Sequence, residues 1–111
     1  MVWNAALIAN KVVVKDVTWR PKVCLDEWNV WDPKRAEGEK VGEEKYTLSD
    51  ALAVGKWLNF FVRQSDKFGM VCLAQAVIVL GPLLTSEKGM VRQTIWWPLW
   101  LFSKYMKSER V

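Results

Sequence analysis

Two short segments, VCLDE at 23–27 and VCLAQ at 71–75, share three apolar residues in the same order. Apolar runs of this length, bounded by Pro, Gly and charged residues, are typical of short buried strands. Each run ends on a carboxyl or amide side chain, Glu27 in the first and Gln75 in the second. The repeat therefore predicts two buried strands whose ends present polar groups.

The sequence between these strands predicts a long loop followed by a helix. Residues 32–46 carry nine charged side chains, which favours a solvent-facing loop. Thr47 with Asp50 three residues later is a variant of the capping box, so we expect a helix from Thr47 to about Ser65, with Gly69 as its terminator. The face expected to pack has apolar or small residues at helical spacing: Leu48, Ala51, Leu52, Gly55, Leu58 and Val62.

The second strand is expected at 70–75, followed by an apolar loop to Pro82, a turn at 86–89, and a last helix from Pro98 through Lys104. The segments 2–9 and 12–19 are ambiguous between helix and strand. The order of strand, loop, helix, strand, loop and helix corresponds to two consecutive βα units, which build parallel α/β sheets. Because the βα loops gather at the carboxyl ends of parallel strands, Glu27 and Gln75 are expected to be neighbours there.

The composition excludes several kinds of active site. His is absent, so neither a Ser-His or Cys-His nucleophile pair nor a zinc-ligand cluster can form within this chain. Cys24 and Cys72 lie in the two apolar runs, and we expect buried free thiols rather than a disulfide. The remaining candidates for chemistry are carboxylates, amides and aromatic rings, and no metal or organic cofactor is predicted.

Charge and hydropathy argue against two classes of partner. The net charge of +4 comes from scattered basic residues, whereas nucleic-acid binding needs them clustered on one face. No apolar run reaches the roughly 18 residues of a membrane span. The first residues show neither a positive charge before their apolar patch nor a convincing cleavage site, so we expect no signal peptide. We predict neither a nucleic-acid partner nor a membrane partner, and the compartment stays open.

The polar strand end matches the needs of one reaction class. Retaining cleavage of a glycosidic bond needs two carboxyl groups about 5 to 5.5 Å apart, one of which attacks the anomeric carbon. Glu27 suits that role, Trp28 and Trp31 could offer flat faces to a sugar, and Gln75 could both donate to and accept from a hydroxyl group. Eight Trp residues in one chain make packing the commoner role for any of them, and Asp26 is expected to be structural because adjacent strand residues point to opposite faces.

Several ordered motifs resemble the α-L-arabinofuranosidases of glycoside hydrolase family 51, most closely their fungal branch. They are DEWNVW (26–31), EEKYTLSDALAV (43–54), WLNFFVRQS (57–65), LAQAV (73–77), GPLLT (81–85) and RQTIWWPLWLFSKY (92–105). The resemblance implies an eight-stranded (β/α) barrel, the TIM barrel, joined to a β-sandwich. It implies that Glu27 is the nucleophile at the end of strand seven, Gln75 a sugar-binding residue after strand eight, and Trp31 an aromatic wall of the cleft.

The sequence also departs from that family. Ile78 stands where the family usually has Asn, and the Asn-Glu pair that contains the general acid is missing from this chain. Strands one to six are missing as well. We therefore expect residues 1–111 to be a partial barrel domain, without a complete second domain, that carries the nucleophile but is inactive alone.

The expected substrate is an arabinose-containing polysaccharide or oligosaccharide. The chain is also expected to need the missing barrel strands or an oligomeric partner for a stable fold. The alternative is a non-catalytic, degenerate paralogue that binds carbohydrate or complements another barrel fragment.

Overall fold

The computed structural model describes residues 22–31 and 45–106. The predictions for 2–9 and 12–19, and those for most of the charged loop, lie outside the described residues. The elements are β1 (Val23–Trp28), α1 (Leu48–Arg63), β2 (Phe68–Leu73), β3 (Leu83–Ser86), β4 (Gly89–Arg92) and α2 (Trp96–Tyr105). The predicted order of strand, helix, strand and helix is confirmed, with an additional pair of strands before the last helix.

The two Val-Cys-Leu segments pair in parallel, with α1 in the connection between them. Leu25 lies opposite Val71, and Cys24 lies opposite Met70. Cys24 and Met70 are both exposed, whereas Leu25 and Val71 are partly covered. Cys24 is a free thiol as predicted, but the prediction that it is buried is wrong, because the face it shares with Met70 is uncovered within the described part of the chain.

Helix α1 begins at the predicted cap. The carboxylate of Asp50 accepts hydrogen bonds from the backbone N–H of Thr47 at 2.7 Å and from its hydroxyl at 2.8 Å. Gly69 does not terminate this helix, and that prediction is wrong. The helix ends at Arg63, and Lys67 N donates to Gln64 O at 2.8 Å in a turn that leads directly into β2, so Gly69 becomes part of the strand.

The buried face of α1 agrees only in part with the predicted one, since Leu58 packs against the core as expected. Val54 is fully buried, and it forms the core with Tyr46 and Ile95. Leu48 and Leu52 were expected on the packed face but are 70% and 63% exposed. Because α1 is apolar on more than one side, periodicity alone could not show which side contacts the core. Tyr46 was expected in a solvent-facing loop, and its burial corrects that prediction at the end of the loop.

Aromatic rings join α1 to both parallel strands. The ring of Phe61 lies 5.0 Å from that of Trp28 in β1 and 5.4 Å from that of Phe68 in β2. Trp57 stacks on Phe61 at 5.6 Å, in agreement with the packing role predicted for it. These contacts hold the helix against one face of the sheet, since aromatic pairs at such distances add to the burial of their surface.

The other side of α1 meets α2 across an open groove of about 740 Å³. Leu48 and Leu52 line it from α1, and Trp97 and Leu101, which are 50% and 47% exposed, line it from α2. This groove is an exposed, mainly apolar surface shared by the two helices. No helix within the described ranges has the length and apolar character needed to cross a membrane.

The antiparallel strands β3 and β4 were missed by the sequence reasoning, which placed only a turn at 86–89. Ser86 and Gly89 are opposite each other at the end of this hairpin, as that turn requires. The residues of β4, GMVR, do not alternate between apolar and polar, so the sequence does not mark them as a strand, and all four are exposed. Helix α2 begins at Trp96, and Pro98 occupies its first turn, where a backbone N–H has no partner within the helix.

Alanine substitutions at Gly81 and Gly55 should change stability in opposite directions. A Cβ atom on Gly81 would lie 2.8 Å from the backbone N and C of Val77, whereas one on Gly55 would lie 3.9 Å from its nearest neighbour outside the helix, Cβ of Pro98. We expect Gly81→Ala to lower the free energy of unfolding by about 1–3 kcal/mol through overpacking. Gly55→Ala should raise it by about 0.5–1 kcal/mol through helix propensity. Urea unfolding followed by tryptophan fluorescence measures both, and equal effects would contradict this packing.

Candidate functional site

Glu27 lies in an irregular part of β1. Leu25 is opposite Val71 and Trp28 is opposite Leu73, so Asp26 and Glu27 together face the single residue Cys72. Such a bulge interrupts the simple alternation of side chains between faces, and bulges are common beside active sites, where they redirect a side chain. Asp26 and Glu27 are both exposed. The argument from alternation that assigned Asp26 a structural role does not apply directly in a bulge.

Gln75 lies two residues beyond the end of β2, and its side chain is exposed. The preceding residue, Ala74, donates its backbone N–H to the carbonyl oxygen of Trp28 at 3.0 Å. Glu27 directly precedes Trp28, and Gln75 directly follows Ala74, so the two side chains flank one hydrogen-bonded pair of residues. The structure therefore brings Glu27 and Gln75 to the same end of the parallel sheet.

Trp31 is the last residue of the described segment 22–31, and it is 56% exposed. It lies at the same end of the sheet because it follows β1 by three residues. Trp28 is different, since its ring packs against Phe61 and its indole N–H is buried without a hydrogen-bond partner among the described residues. Of the two Trp residues considered for sugar contact, Trp31 has the accessible face.

Asn29 connects the end of β1 to the loop that carries Gln75. Its side-chain nitrogen Nδ2 donates to the carbonyl oxygen of Ala74 at 2.8 Å and to that of Leu80 at 2.6 Å. Its Oδ1 accepts the backbone N–H of Val30 at 2.8 Å, which orients the amide group. One side chain thus holds both ends of the segment 74–80.

Tyr46 and Gln93 donate hydrogen bonds to the backbone carbonyl groups of Leu80 and Gly81. The hydroxyl of Tyr46 lies 3.0 Å from Leu80 O and 3.1 Å from Val30 O, so its single hydrogen can be donated to either carbonyl. The buried side chain of Gln93 donates Nε2–H to Gly81 O at 2.8 Å and accepts the N–H of Tyr46 at 3.1 Å. We call Asn29, Tyr46 and Gln93 the polar anchor of the loop 74–82.

The sequence reasoning gave no role to the members of the polar anchor. Asn29 was read only as part of the DEWNVW motif, and Tyr46 only as the end of a charged loop and part of the EEKYTLSDALAV motif. Two signals were available, namely an Asn directly after the first strand and a Gln between Arg92 and Thr94, shortly before an apolar run. Neither reveals a partner, because the bonded groups are 45 to 51 residues away for Asn29 and 12 for Gln93 Nε2.

The loop after β2 contains unusual backbone conformations. Ile78 and Leu80 have φ angles of 67° and 52°, in the left-handed region that side chains other than Gly and Asn rarely occupy. The peptide bond between Ala74 and Gln75 is cis. The carbonyl of Leu80 accepts hydrogen bonds from both Asn29 and Tyr46, and Ile78 N donates to Leu83 O at 2.8 Å. These bonds hold the loop in its left-handed conformations.

The site therefore combines an exposed carboxylate, an exposed amide and an exposed indole at one sheet end, with a loop held by buried and part-buried hydrogen bonds. Within the described ranges, no group of three or more His, Cys, Asp or Glu side chains could hold a metal ion. Such a set of groups is suited to binding hydroxyl-rich molecules and to attack by a carboxylate.

Comparison with known proteins identifies the family. Residues 26–111 match the family model of the alpha-L-arabinofuranosidase C-terminal domain. The chain belongs to this family. The match begins at Asp26, directly before the candidate carboxylate, and it includes the loop and both helices described above.

Named relatives and a solved structure agree with this membership. The alpha-L-arabinofuranosidase C of Emericella nidulans is 65% identical over 89 residues, covering 80% of this chain and 18% of that protein. A protein of Aspergillus clavatus called "Probable alpha-L-arabinofuranosidase C" is 60% identical over 105 residues, covering 95% of this chain and 20% of that protein. A family 51 alpha-L-arabinofuranosidase from Bifidobacterium longum has a TM-score of 0.69 at 26% identity, over 78% of this chain and 19% of that one. The resemblance to family 51 is confirmed, and the chain spans about a fifth of the length of these relatives.

Ile78 offers a test of the left-handed backbone. Ile78→Asn removes a β-branched side chain from a position where Asn is tolerated, and Val79→Asn removes a similar apolar side chain where φ is not positive. Ile78 and Val79 are 47% and 38% exposed, so the burial lost is comparable. We expect the Ile78 variant to be the more stable of the two by about 1 kcal/mol in urea unfolding. Equal stability, or the reverse order, would contradict the assigned backbone.

Proposed function

We propose that this chain carries the nucleophile of a retaining glycoside hydrolase that releases terminal, non-reducing α-L-arabinofuranosyl residues from arabinan or arabinoxylan. A carboxylate oxygen of Glu27 forms a bond to the anomeric carbon while the glycosidic C–O bond breaks. The leaving oxygen takes its proton from a general acid that is not in this chain. Water then gives a proton to the conjugate base of that general acid as it attacks the anomeric carbon of the glycosyl-enzyme ester, and the bond to Glu27 breaks to regenerate its carboxylate.

The observation that carries this proposal is the placement of Glu27. Its side chain is exposed in a bulge at the carboxyl end of a parallel strand, next to the loop that begins at Ala74. Active-site groups of parallel α/β folds come from this end of the strands. The family match and the names of the relatives supply the reaction class.

Gln75 and Trp31 are proposed to bind the sugar. The amide of Gln75 can donate to one hydroxyl and accept from another, and the 56% exposed ring of Trp31 offers a flat apolar surface to the C–H groups of a furanose. Both side chains are exposed at the sheet end that carries Glu27. No metal or organic cofactor is part of this mechanism.

We further propose that β1 and β2 are the seventh and eighth strands of a (β/α) barrel, so that residues 1–111 form part of one catalytic domain. Within the described residues the parallel sheet has only these two strands, which leaves their outer edges unpaired. The face that carries Cys24 and Met70 is exposed, as expected if it turns inward when further strands close a barrel. The missing strands, supplied by a longer polypeptide or another subunit, would cover these surfaces.

The decisive experiment replaces the matching segment of the Emericella nidulans enzyme with residues 23–111 of this chain. We expect the chimera to hydrolyse an aryl α-L-arabinofuranoside, and Glu27→Gln to lower kcat by at least about 10⁴-fold, the scale of losing a covalent nucleophile. Gln has nearly the same shape as Glu but cannot form the ester by the same route, so the loss reports the carboxylate. Steady-state kinetics measures it.

Asp26→Asn is the matched control for this substitution. It removes the neighbouring exposed carboxylate in the same bulge without touching the proposed nucleophile. We expect kcat of the Asp26 variant to stay much closer to that of the unsubstituted chimera. If the chimera stays active with Glu27→Gln but loses activity with Asp26→Asn, the assignment of Glu27 as the nucleophile is wrong.

A second candidate function follows from the missing general acid. The chain contains no Asn-Glu pair, and general acid–base assistance is typically worth about 10² to 10⁴-fold. We expect the isolated 111-residue polypeptide to show no turnover above its own Glu27→Gln variant on the same aryl glycoside. Arabinose binding by the isolated chain without turnover, measured by calorimetry, would favour a carbohydrate-binding or barrel-complementing role. Turnover that depends on Glu27 would contradict the fragment interpretation.

A further inference from the structure

Asn29 connects the strand that carries the proposed nucleophile to the loop that carries the proposed sugar-binding residue. It lies two residues after Glu27, and its Nδ2 bonds to Ala74 O at 2.8 Å and Leu80 O at 2.6 Å. Ala74 directly precedes Gln75, and Leu80 lies near the other end of the same loop. The side-chain amide of Asn29 therefore links β1 to both ends of this loop.

The chemistry of the contact requires an amide. The two acceptors are both carbonyl oxygens, so the side chain must provide two N–H donors from one nitrogen, while Oδ1 accepts Val30 N–H at 2.8 Å. A carboxylate of the same shape has no donor and would place its negative charge against two carbonyl oxygens. A smaller hydroxyl group has one donor and could not serve both ends of the loop.

The rest of the polar anchor restrains one end of this loop more than the other. Leu80 O also accepts from Tyr46, and Gly81 O accepts from Gln93, so the Leu80 end keeps contacts if Asn29 is removed. At the Ala74 end, the other hydrogen bond to β1 is made by the backbone N–H of Ala74 with Trp28 O. Loss of Asn29 would therefore release mainly the end that carries Gln75.

We propose that Asn29 is a positioning residue that sets the placement of the Gln75 amide relative to the Glu27 carboxylate. This proposal rests on the proposed function of the two residues it connects. Asn29 does not need to contact the substrate, because it acts through the loop. A shift of about 1 Å in a group that orients substrate can cost about 100-fold in rate.

A double-substitution cycle in the chimera described above tests this role. The variants are Asn29→Asp, Gln75→Ala and the combination of both, and kcat and KM are measured for each on the aryl arabinofuranoside. We expect each single variant to lower kcat/KM by about 100-fold and the double variant to lie within about threefold of Gln75→Ala alone, because a residue that acts through Gln75 has nothing left to position. Losses that multiply to about 10⁴-fold would overturn the proposal, since they would show independent roles.

Two further variants separate positioning from a general loss of stability. Phe68→Ala opens a cavity at a buried position at the start of β2, the strand end opposite the loop 74–82, and should lower the unfolding midpoint while leaving kcat/KM within about threefold. Asn29→Ala removes the donors without adding a charge and keeps the test available if Asn29→Asp does not fold. We expect Asn29→Ala to be less impaired than Asn29→Asp, whereas full activity of Asn29→Ala would overturn the proposal.

The outcomes distinguish this proposal from the one on which it rests. An inactive chimera, or activity that is independent of Glu27, defeats the proposed function and removes the basis for a role of Asn29. Activity that depends on Glu27, together with additive effects of the Asn29 and Gln75 substitutions, defeats the positioning role alone.

Discussion

The hydrogen bonds that Asn29, Tyr46 and Gln93 make to the loop 74–82 are the constraint on which the site depends. These side chains donate to the carbonyl oxygens of Ala74, Leu80 and Gly81, and the backbone N–H of Gln93 donates to the carbonyl oxygen of Pro82. A satisfied internal hydrogen bond contributes about 1 kcal/mol net, whereas a buried polar group without a partner costs about 1–3 kcal/mol. The loop can therefore keep left-handed backbone at Ile78 and Leu80 only while these partners are in place.

This constraint ties the end of the sheet to the core. The core beneath it, formed by Tyr46, Val54 and Ile95, is small, and the polar anchor shares Tyr46 with it. By contrast, the groove between α1 and α2 and the sheet face with Cys24 and Met70 present apolar side chains to solvent. Exposed apolar surfaces of this kind are typical of contacts with further protein, which the proposed closure of a barrel would provide.

Local sequence signals predicted the elements whose causes are local. Thr47 and Asp50 begin α1 because a capping box needs only residues three apart, and both Val-Cys-Leu runs are strands because they are short, apolar and bounded by breakers. The predictions failed where the local sequence fits more than one arrangement equally well. Helix α1 is apolar on more than one side, so its core face was misassigned in part, and the exposed hairpin β3 and β4 had no alternation to reveal it.

The sequence by itself determined the chemistry available at this site, because the absence of His and the side chains of Glu27, Gln75 and Trp31 are properties of the residues alone. It also predicted that two similar strands with a helix between them would pair in parallel, since a helical connection between strands is typical of βαβ units. Only the tertiary structure decided that Asp26 and Glu27 share a bulge and that Asn29 bonds across 45 and 51 residues to the loop of Gln75. Register and long-range hydrogen bonds depend on which groups come into contact after folding, and the periodicity of the sequence does not specify those contacts.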